Sequence, residues 1–274
     1  MRNMSSSDRP TWAPESIDLE RPNAARIYDY LLGGAANFAA DREFGEQLLT
    51  VLPEARGAAR MNRAFLHRAV RFCVDAGIRQ FLDVGSGIPT AGNVHEIAQR
   101  MDPSCRVVYV DIEPVAVTHS ELMLRGNDKA GVIRADFTDP DSILGSETAQ
   151  RLLDFDQPMG LLLVALLHFV PDEANPHDAV ARFVSTLASG SYLVLSHSVE
   201  RPSAEQAEGI DRLYDRADAP GVRRTQPEIE RFFEGLELVE PGLVNTPEWR
   251  PEPNDTSAGQ PGADVAIAGV ARKP

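Results

Sequence analysis

The sequence of 274 residues contains little cysteine and lacks a long hydrophobic run. Its two cysteines, Cys73 and Cys105, lie within apolar helix or strand patterns, so neither a disulfide framework nor a zinc site of four ligands is available. The longest apolar run, at 159–167, is about half of the roughly 18 residues that predict a membrane span. The N-terminus also lacks the apolar stretch of a secretory signal peptide. We therefore expect a cytoplasmic protein without membrane association.

Basic residues are the minority among the charged side chains. Lysine and arginine number 27 against 41 acidic residues, which gives a formal net charge of -14. A field of this sign repels phosphate backbones and anionic lipid headgroups, so nucleic acid is not expected as a partner. The apolar share of 43% and the charged share of 25% are typical of a folded globular protein and exclude collagen-like, coiled-coil and wholly disordered classes.

The chain divides into three segments. Residues 1–22 are rich in serine and proline and lack periodicity, which predicts a flexible N-terminal arm. Residues 23–77 show helical periodicity interrupted at Gly33 and Gly34, and they predict a helical cover. The glycine pair beside polar and aromatic residues would suit a lid over a ligand crevice, and plain packing of helices on a sheet is the alternative. Residues 78–274 form the predicted core domain.

Short apolar strands alternate with helical stretches throughout the core. This is the βαβ pattern of a parallel sheet that is covered on both faces. A loop without a helix joins the last two strands, which favours an antiparallel pair. The fold class predicted is α/β, a doubly wound Rossmann-like sheet of five parallel strands plus an antiparallel C-terminal hairpin. The strands are predicted at 81–84, 107–110, 131–135, 160–166, 191–196, 236–241 and 264–272.

A glycine turn and an acid mark a nucleotide-type site. The first strand runs into Gly85 and Gly87, and the second strand ends 24 residues further on at Asp111. Glycines in such a turn let the backbone approach a ligand, and the acid can accept hydrogen bonds from ribose hydroxyls. Thr90 replaces the third glycine of a dinucleotide motif, and Asp83 would repel a pyrophosphate. The alternatives are a glycine turn without ligand and a helix-capping role for Asp111.

A third acid, Asp136, follows the third strand and so joins Asp83 and Asp111 at one edge of the sheet. Three carboxylates suit a ligand that has cationic groups and hydrogen-bond donors. S-adenosylmethionine offers an ammonium and a sulfonium near the turn, a ribose diol for Asp111 and an adenine amino group for Asp136. A simple turn residue is the alternative for Asp136.

Several longer segments carry a family resemblance. They are RIYDYLLGG (26–34), NFAADRE (37–43), DVGSGIPTAGN (83–93), VVYVD (107–111), LLLVALLHFVPD (161–172) and GSYLVLSH (190–197). On these segments the chain resembles the class I S-adenosylmethionine-dependent methyltransferases, and more narrowly the actinomycete S-adenosyl methyltransferase family first catalogued as a domain of unknown function. The resemblance implies a methyltransferase with S-adenosyl-L-methionine as cofactor.

Arg63 is the expected partner of the cofactor's carboxylate, because a carboxylate among three acids needs a nearby cation. It belongs to a stripe of arginines on one amphipathic helix, and a solvated face is the alternative. The full set of residues expected to bind the cofactor is Tyr28, Arg63, Asp83, Gly85, Ser86, Gly87, Asp111, Ile112, Asp136, Phe137 and Ala165.

His168 is the first candidate for a general base, with Tyr28 and His197 behind it. A structural role for His168 after a buried strand is the alternative, and no ligand spacing among the nearby histidines and acids matches a metal site. The function predicted is methyl transfer to a small or medium-sized acceptor molecule. The alternatives are a non-catalytic S-adenosylmethionine-binding or regulatory protein and an NAD-linked oxidoreductase.

Overall fold

The computed structural model describes residues 17–90, 92–199, 204–218 and 220–274. The strands are β1 (Gln80–Val84), β2 (Arg106–Asp111), β3 (Ala130–Arg134), β4 (Gly160–Val164), β5 (Tyr192–Ser198), β6 (Glu237–Leu238), β7 (Val244–Asn245) and β8 (Ala266–Arg272). The α-helices are α1 (Ala24–Leu31), α2 (Ala39–Val51), α3 (Ala55–Asp75), α4 (Val94–Met101), α5 (Pro114–Met123), α6 (Pro140–Leu144), α7 (Glu147–Leu152), α8 (Pro176–Thr186), α9 (Ala204–Tyr214) and α10 (Gln226–Glu230).

The strands form one mixed sheet in the order β3-β2-β1-β4-β5-β8-β6, and β7 also pairs with β8. β1 to β5 are parallel, whereas β8 runs antiparallel to β5, β6 and β7. The predicted fold class is therefore confirmed. The chain builds outward from β1 to β3 and then returns to place β4 on the other side of β1. This reversal is the topological switch point at which open α/β sheets bind ligands.

The central strands are apolar on both faces because helices cover the sheet on both sides. In β1, Leu82 packs in the core on one face and Phe81 in the core on the other, and both are fully buried. In β4, Leu161 and Leu162 divide between the two faces in the same way. Such continuous apolar runs are why the sequence predicts these strands so well.

The helical cover consists of α1, α2 and α3, close to the predicted helical segments. The break between α1 and α2 contains Gly33 at φ +83°, a conformation that glycine adopts without steric cost. Residues 1–16 of the predicted arm lie outside the described part of the chain. Its remaining part is docked, because Ile17 is buried and the Arg21 guanidinium donates a hydrogen bond to the Ala217 carbonyl at 2.8 Å. No helix in the described part of the chain combines the length and apolar composition needed to cross a membrane.

Two predicted strands extend well past their observed C-terminal ends. β4 ends at Val164 rather than at residue 166, because Ala165 takes a positive φ of 57° and its amide donates to the Ser196 hydroxyl at 3.0 Å. The strand predicted at 236–241 is reduced to Glu237–Leu238, and a second short strand follows at Val244–Asn245. Both differences arise from turns that apolar periodicity does not reveal.

Candidate functional site

A crevice of about 550 Å³ lies at the carboxyl ends of β1 to β4. Its volume falls within the range of small-molecule and cofactor sites. Every residue predicted to bind the cofactor lines this crevice, from Tyr28 in α1 to Ala165 after β4. The fold therefore brings the predicted binding residues together. The predicted base His168 is not among the lining residues.

The glycine turn after β1 is held against β2. The amides of Gly85 and Ser86 both donate to the Val110 carbonyl, at 2.8 and 3.0 Å. Gly85 and Gly87 have φ values of +72° and +66°, which strongly favour glycine. A Cβ at Gly85 would lie 2.6 Å from the Leu166 side chain, whereas a Cβ at Gly87 would meet no atom within 4 Å. The open face of the turn is therefore at Gly87.

The Asp111 carboxylate links the end of β2 to the glycine turn. One oxygen accepts a hydrogen bond from the Gly87 amide at 2.7 Å, and the other accepts from the Glu113 amide at 2.9 Å. Burial raises the pKa of Asp111, and these amide bonds oppose that rise. A carboxylate has about four acceptor positions, so these amides leave acceptor capacity for a ligand. Structural and ligand-binding roles are thus compatible at Asp111.

Three polar groups in the crevice wall lack a hydrogen-bond partner among the described residues. No group of the described residues hydrogen-bonds the Asp83 carboxylate, which is 5% exposed. Burial raises its pKa to about 7, and the charge of Arg63 works in the opposite direction. The Ser86 hydroxyl and the Arg63 Nε are also buried without partners. Unsatisfied buried groups of this kind are rare in folded proteins, and they indicate a ligand site.

Arg63 is half-buried in the crevice wall and is not part of a solvated face. Its guanidinium donates to the Asn93 side chain at 3.1 Å, and its charge acts on Asp83. Arg71, on the same helix, instead forms an exposed ion pair with Glu252 at 2.5 Å. The stripe of arginines therefore divides into members with different roles.

The far end of the crevice is formed after β2 and β3. Asp136 is exposed, and one carboxylate oxygen accepts from the Thr138 amide and hydroxyl, both at 2.8 Å. Asp136 therefore stabilises a turn, which was the alternative to a ligand role. Its second carboxylate oxygen accepts no hydrogen bond from the described residues. Phe137 is buried against Phe183, and Ile112 is 58% exposed at the crevice. An exposed isoleucine is suited to cover an apolar ligand face.

His168 lines a second cavity of about 170 Å³ beside the crevice. Burial and nearby positive charge hold its pKa well below the ordinary value, so the ring is neutral. His197 is fully buried, with Nδ1 donating to the Ser198 carbonyl at 2.6 Å and Nε2 accepting from Arg224 at 3.0 Å. With its pKa lowered to about 4 and both nitrogens engaged, His197 is a structural residue.

Tyr28 lines both the crevice and the second cavity. Its hydroxyl donates to the Ala59 carbonyl and accepts from the Asn62 amide, each at 3.0 Å. Burial raises its pKa, so the hydroxyl keeps its proton at neutral pH. This geometry argues against Tyr28 as a base and favours a role as part of the wall.

The sequence did not reveal one polar residue that lines the site, Asn62, and one buried arginine that supports it, Arg26. Asn62 accepts a hydrogen bond from the Ser196 hydroxyl at 2.6 Å and so connects α3 to β5. Arg26, only 2% exposed, pairs with Asp41 and with Glu113. Both lie in helical segments that the periodicity predicts, but periodicity does not reveal which polar side chain is buried. Among the described residues, no group of three or more histidines, cysteines or acids is placed to hold a metal ion.

Comparison with known proteins places the chain in a family. A family model described as S-adenosyl methyltransferase matches residues 10–274. A proposed methyltransferase from Thermobifida fusca YX is 40% identical, with a TM-score of 0.90 over 96% of this chain and 99% of that one. A DUF574 family protein from Streptomyces avermitilis MA-4680 is also 40% identical, with a TM-score of 0.89 over 94% and 99%.

A more distant structure shares the fold. The N-methyltransferase NodS from Bradyrhizobium japonicum WM9, in complex with S-adenosyl-L-homocysteine, is 17% identical, with a TM-score of 0.50 over 91% of this chain and 99% of that one. None of the curated proteins compared with the chain matches it. These findings support neither a regulatory binding protein nor an NAD-linked oxidoreductase. The chain belongs to the S-adenosyl methyltransferase family and is a methyltransferase whose cofactor is S-adenosylmethionine.

Proposed function

We propose that the crevice binds S-adenosylmethionine through the predicted residues and that the acceptor of the methyl group is a small or medium-sized molecule. The main support for the cofactor assignment is the cluster of polar groups without hydrogen-bond partners around the glycine turn. Asp83, the Ser86 hydroxyl and the Arg63 Nε together offer an acid, a hydroxyl and a cation. An amino acid end group, with its ammonium and carboxylate, matches this set.

The remaining residues suit the nucleoside. Asp111 is proposed to accept hydrogen bonds from the two ribose hydroxyls with its free acceptor positions. Ile112 is proposed to cover one face of the adenine, with Asp136 and Phe137 at its edge. A side chain at Gly87 would intrude on the open face of the turn, which is why we expect this glycine to matter for binding.

The bound cofactor supplies an electrophilic methyl group on a sulfonium. The acceptor would contribute the electron pair for the new bond to the methyl carbon, while the bond between that carbon and sulfur breaks and its electron pair stays on sulfur. A proton carried by the reacting atom would leave to bulk solvent after the transfer. The chain's own contribution is to align the reactants and to limit the access of water to them. Ala165 lines both the crevice and the second cavity, which supports a methyl-transfer step near their junction.

The net charge of -14 supports a small molecule over nucleic acid as the acceptor. The two buried free thiols, Cys73 and Cys105, support a cytoplasmic location.

Mass spectrometry of the purified protein and calorimetric titration with S-adenosylhomocysteine and with NADH would test the cofactor assignment. We expect binding of S-adenosylhomocysteine alone. Preferential binding of NADH would overturn the proposal. A screen with a labelled methyl donor should then transfer label to a small molecule, and label found only on nucleic acid would refute the acceptor class.

A further inference from the structure

The second cavity lies beneath the helical cover and adjoins the crevice. Four residues, Tyr28, Asn62, Ala165 and Phe169, line both spaces. The smaller space therefore begins where the cofactor crevice ends. A molecule held there would meet the crevice at the carboxyl end of β4.

The walls of the second cavity are mainly apolar. They include Leu31, Leu48, Ala58, Ile210, Tyr214 and Val222. Two charged residues, Asp211 and Arg223, also line it, but they pair with one another at 2.8 Å and their side chains are 36% and 45% exposed. No unpaired charge of the described residues therefore faces an occupant. Burying a charged group in such a space would be costly, so the cavity favours a neutral one.

One polar group in the cavity is available for a directed contact. Nδ1 of His168 accepts a hydrogen bond from the Ser198 amide at 3.4 Å, which assigns the proton of the neutral ring to Nε2. Within the described part of the chain, Nε2 has no hydrogen-bond partner. The neighbouring Ser196 hydroxyl is already used, because it donates to Asn62 and accepts from the Ala165 amide. His168 therefore offers one free donor.

We propose that this cavity holds the methyl acceptor, and that the acceptor is a neutral molecule with an apolar ring and an oxygen or nitrogen atom that accepts a hydrogen bond from His168 Nε2. An apolar cavity of about 150 Å³ holds benzene, so a space of about 170 Å³ fits a single ring. The inference rests on the proposed function, because it requires the methyl donor in the adjoining crevice. His168 is then a donor that orients the acceptor rather than a general base.

The test uses phenol and toluene as probes, with binding to the full-length protein measured by calorimetry and ligand-observed NMR. Both probes should bind. Phenol should bind about two- to tenfold more tightly than toluene, the effect of one neutral hydrogen bond. In His168→Phe, which keeps a ring but removes the donor, the two affinities should become equal. An unchanged preference for phenol in this variant would overturn the role of His168.

A second test fills the cavity with a larger side chain. Ala58→Leu places a larger side chain in the cavity and should weaken toluene binding by at least about tenfold. Ala181→Leu makes the same change at an exposed position of α8 and should leave toluene binding unchanged. No toluene binding to the unmodified protein, or equal binding to both leucine variants, would refute the cavity assignment. If Ala58→Leu does not fold, Val222→Phe fills the same space from another segment.

Titration with S-adenosylhomocysteine separates this inference from the proposed function. Both leucine variants should bind S-adenosylhomocysteine as the unmodified protein does. Failure of the unmodified protein to bind it would refute the proposed function, whatever the probes show. Normal binding of S-adenosylhomocysteine without any probe binding would refute the acceptor cavity alone.

Discussion

The Arg26 guanidinium, in α1, lies 3.2 Å from the Glu113 carboxylate, two residues beyond Asp111. The same guanidinium pairs with Asp41 in the first turn of α2 at 3.0 Å. The Glu113 amide in turn donates to Asp111. One buried arginine therefore connects the helical cover to the segment that forms the crevice.

Replacement of Arg26 by alanine should destabilise the protein strongly. The change leaves Asp41 and Glu113 buried without their cation, and breaking a buried pair in this way costs about 3–5 kcal/mol. Urea unfolding followed by circular dichroism measures the effect. Arg26→Lys keeps the charge but loses the planar fork, so it should recover part of the loss. A loss in the free energy of unfolding below about 1 kcal/mol for the alanine variant would show that these ion pairs contribute little to stability.

The helical cover should become more protected when the cofactor binds. Asn23, Ala24, Ala25 and Tyr28 line the crevice, so a ligand there would contact α1 and its N-terminus. Hydrogen exchange of residues 23–45 with and without S-adenosylhomocysteine measures this. Residues 147–152, which do not line the crevice, provide an internal control. Identical protection of the cover in both states would leave it a packing role only.

Asp111→Ala should weaken S-adenosylhomocysteine binding by about ten- to a hundredfold, which corresponds to about 1.5–3 kcal/mol. The variant removes acceptors for the ribose diol and also frees the Gly87 amide. Asp111→Asn keeps one acceptor oxygen, so its affinity for S-adenosylhomocysteine should fall by a smaller factor. Asp136→Ala is the matched control at an exposed carboxylate, and we expect a smaller effect there. Unchanged affinity in Asp111→Ala by calorimetry would refute the assignment.

The sheet and the glycine turn were predictable because local pattern determines them. Strands such as β1 and β4 are apolar on both faces, and the positions of Asp83, Gly87 and Asp111 follow from where those strands end. The order of the strands then brings the predicted binding residues to one edge. This explains why the whole predicted set of cofactor residues lines one crevice.

Burial of individual polar residues was not predictable. Arg68 lies in the same helix as Arg71, yet it is 6% exposed and donates to the carbonyls of Thr246 and Trp249. The second cavity gathers residues from segments as distant as Leu31 and Val222. Such features depend on contacts between segments far apart in sequence, and no local periodicity encodes them.

Asp83 should make stability and binding depend on pH. Burial raises its pKa from an ordinary 3.8 to about 7 in the folded protein. Its contribution to the free energy of unfolding is therefore complete below about pH 4 and is lost as the pH rises through about 7. Asp83→Asn lacks this dependence. The unfolding free energy of the variant should therefore rise relative to that of the unmodified protein between about pH 4 and about pH 8.

A bound ammonium near Asp83 should lower its pKa and release a proton near neutral pH. Calorimetry of S-adenosylhomocysteine binding in buffers with different ionisation enthalpies measures that release. Asp83→Asn should release fewer protons on binding, whereas Asp136→Asn should release as many as the unmodified protein. Equal proton release in all three proteins would place the ammonium away from Asp83.

Arg63 should recognise the carboxylate of the cofactor. Its Nε is buried without a partner, it lines the crevice, and the acids around the crevice leave a bound carboxylate in need of a cation. Arg63→Ala should bind S-adenosylmethionine about tenfold or more weakly, within the range of one charge-assisted hydrogen bond. A decarboxylated analogue of the cofactor should lose little affinity.

Arg71→Ala is the matched control, because Arg71 lies on the same helix but pairs with the exposed Glu252 away from the crevice. It should bind both ligands as the unmodified protein does. Equal losses for the two ligands in Arg63→Ala would point to a disturbed wall through the lost Asn93 contact rather than to a lost carboxylate partner. Only a loss confined to the intact cofactor assigns the carboxylate to Arg63, because only that ligand carries the group that the guanidinium would bind.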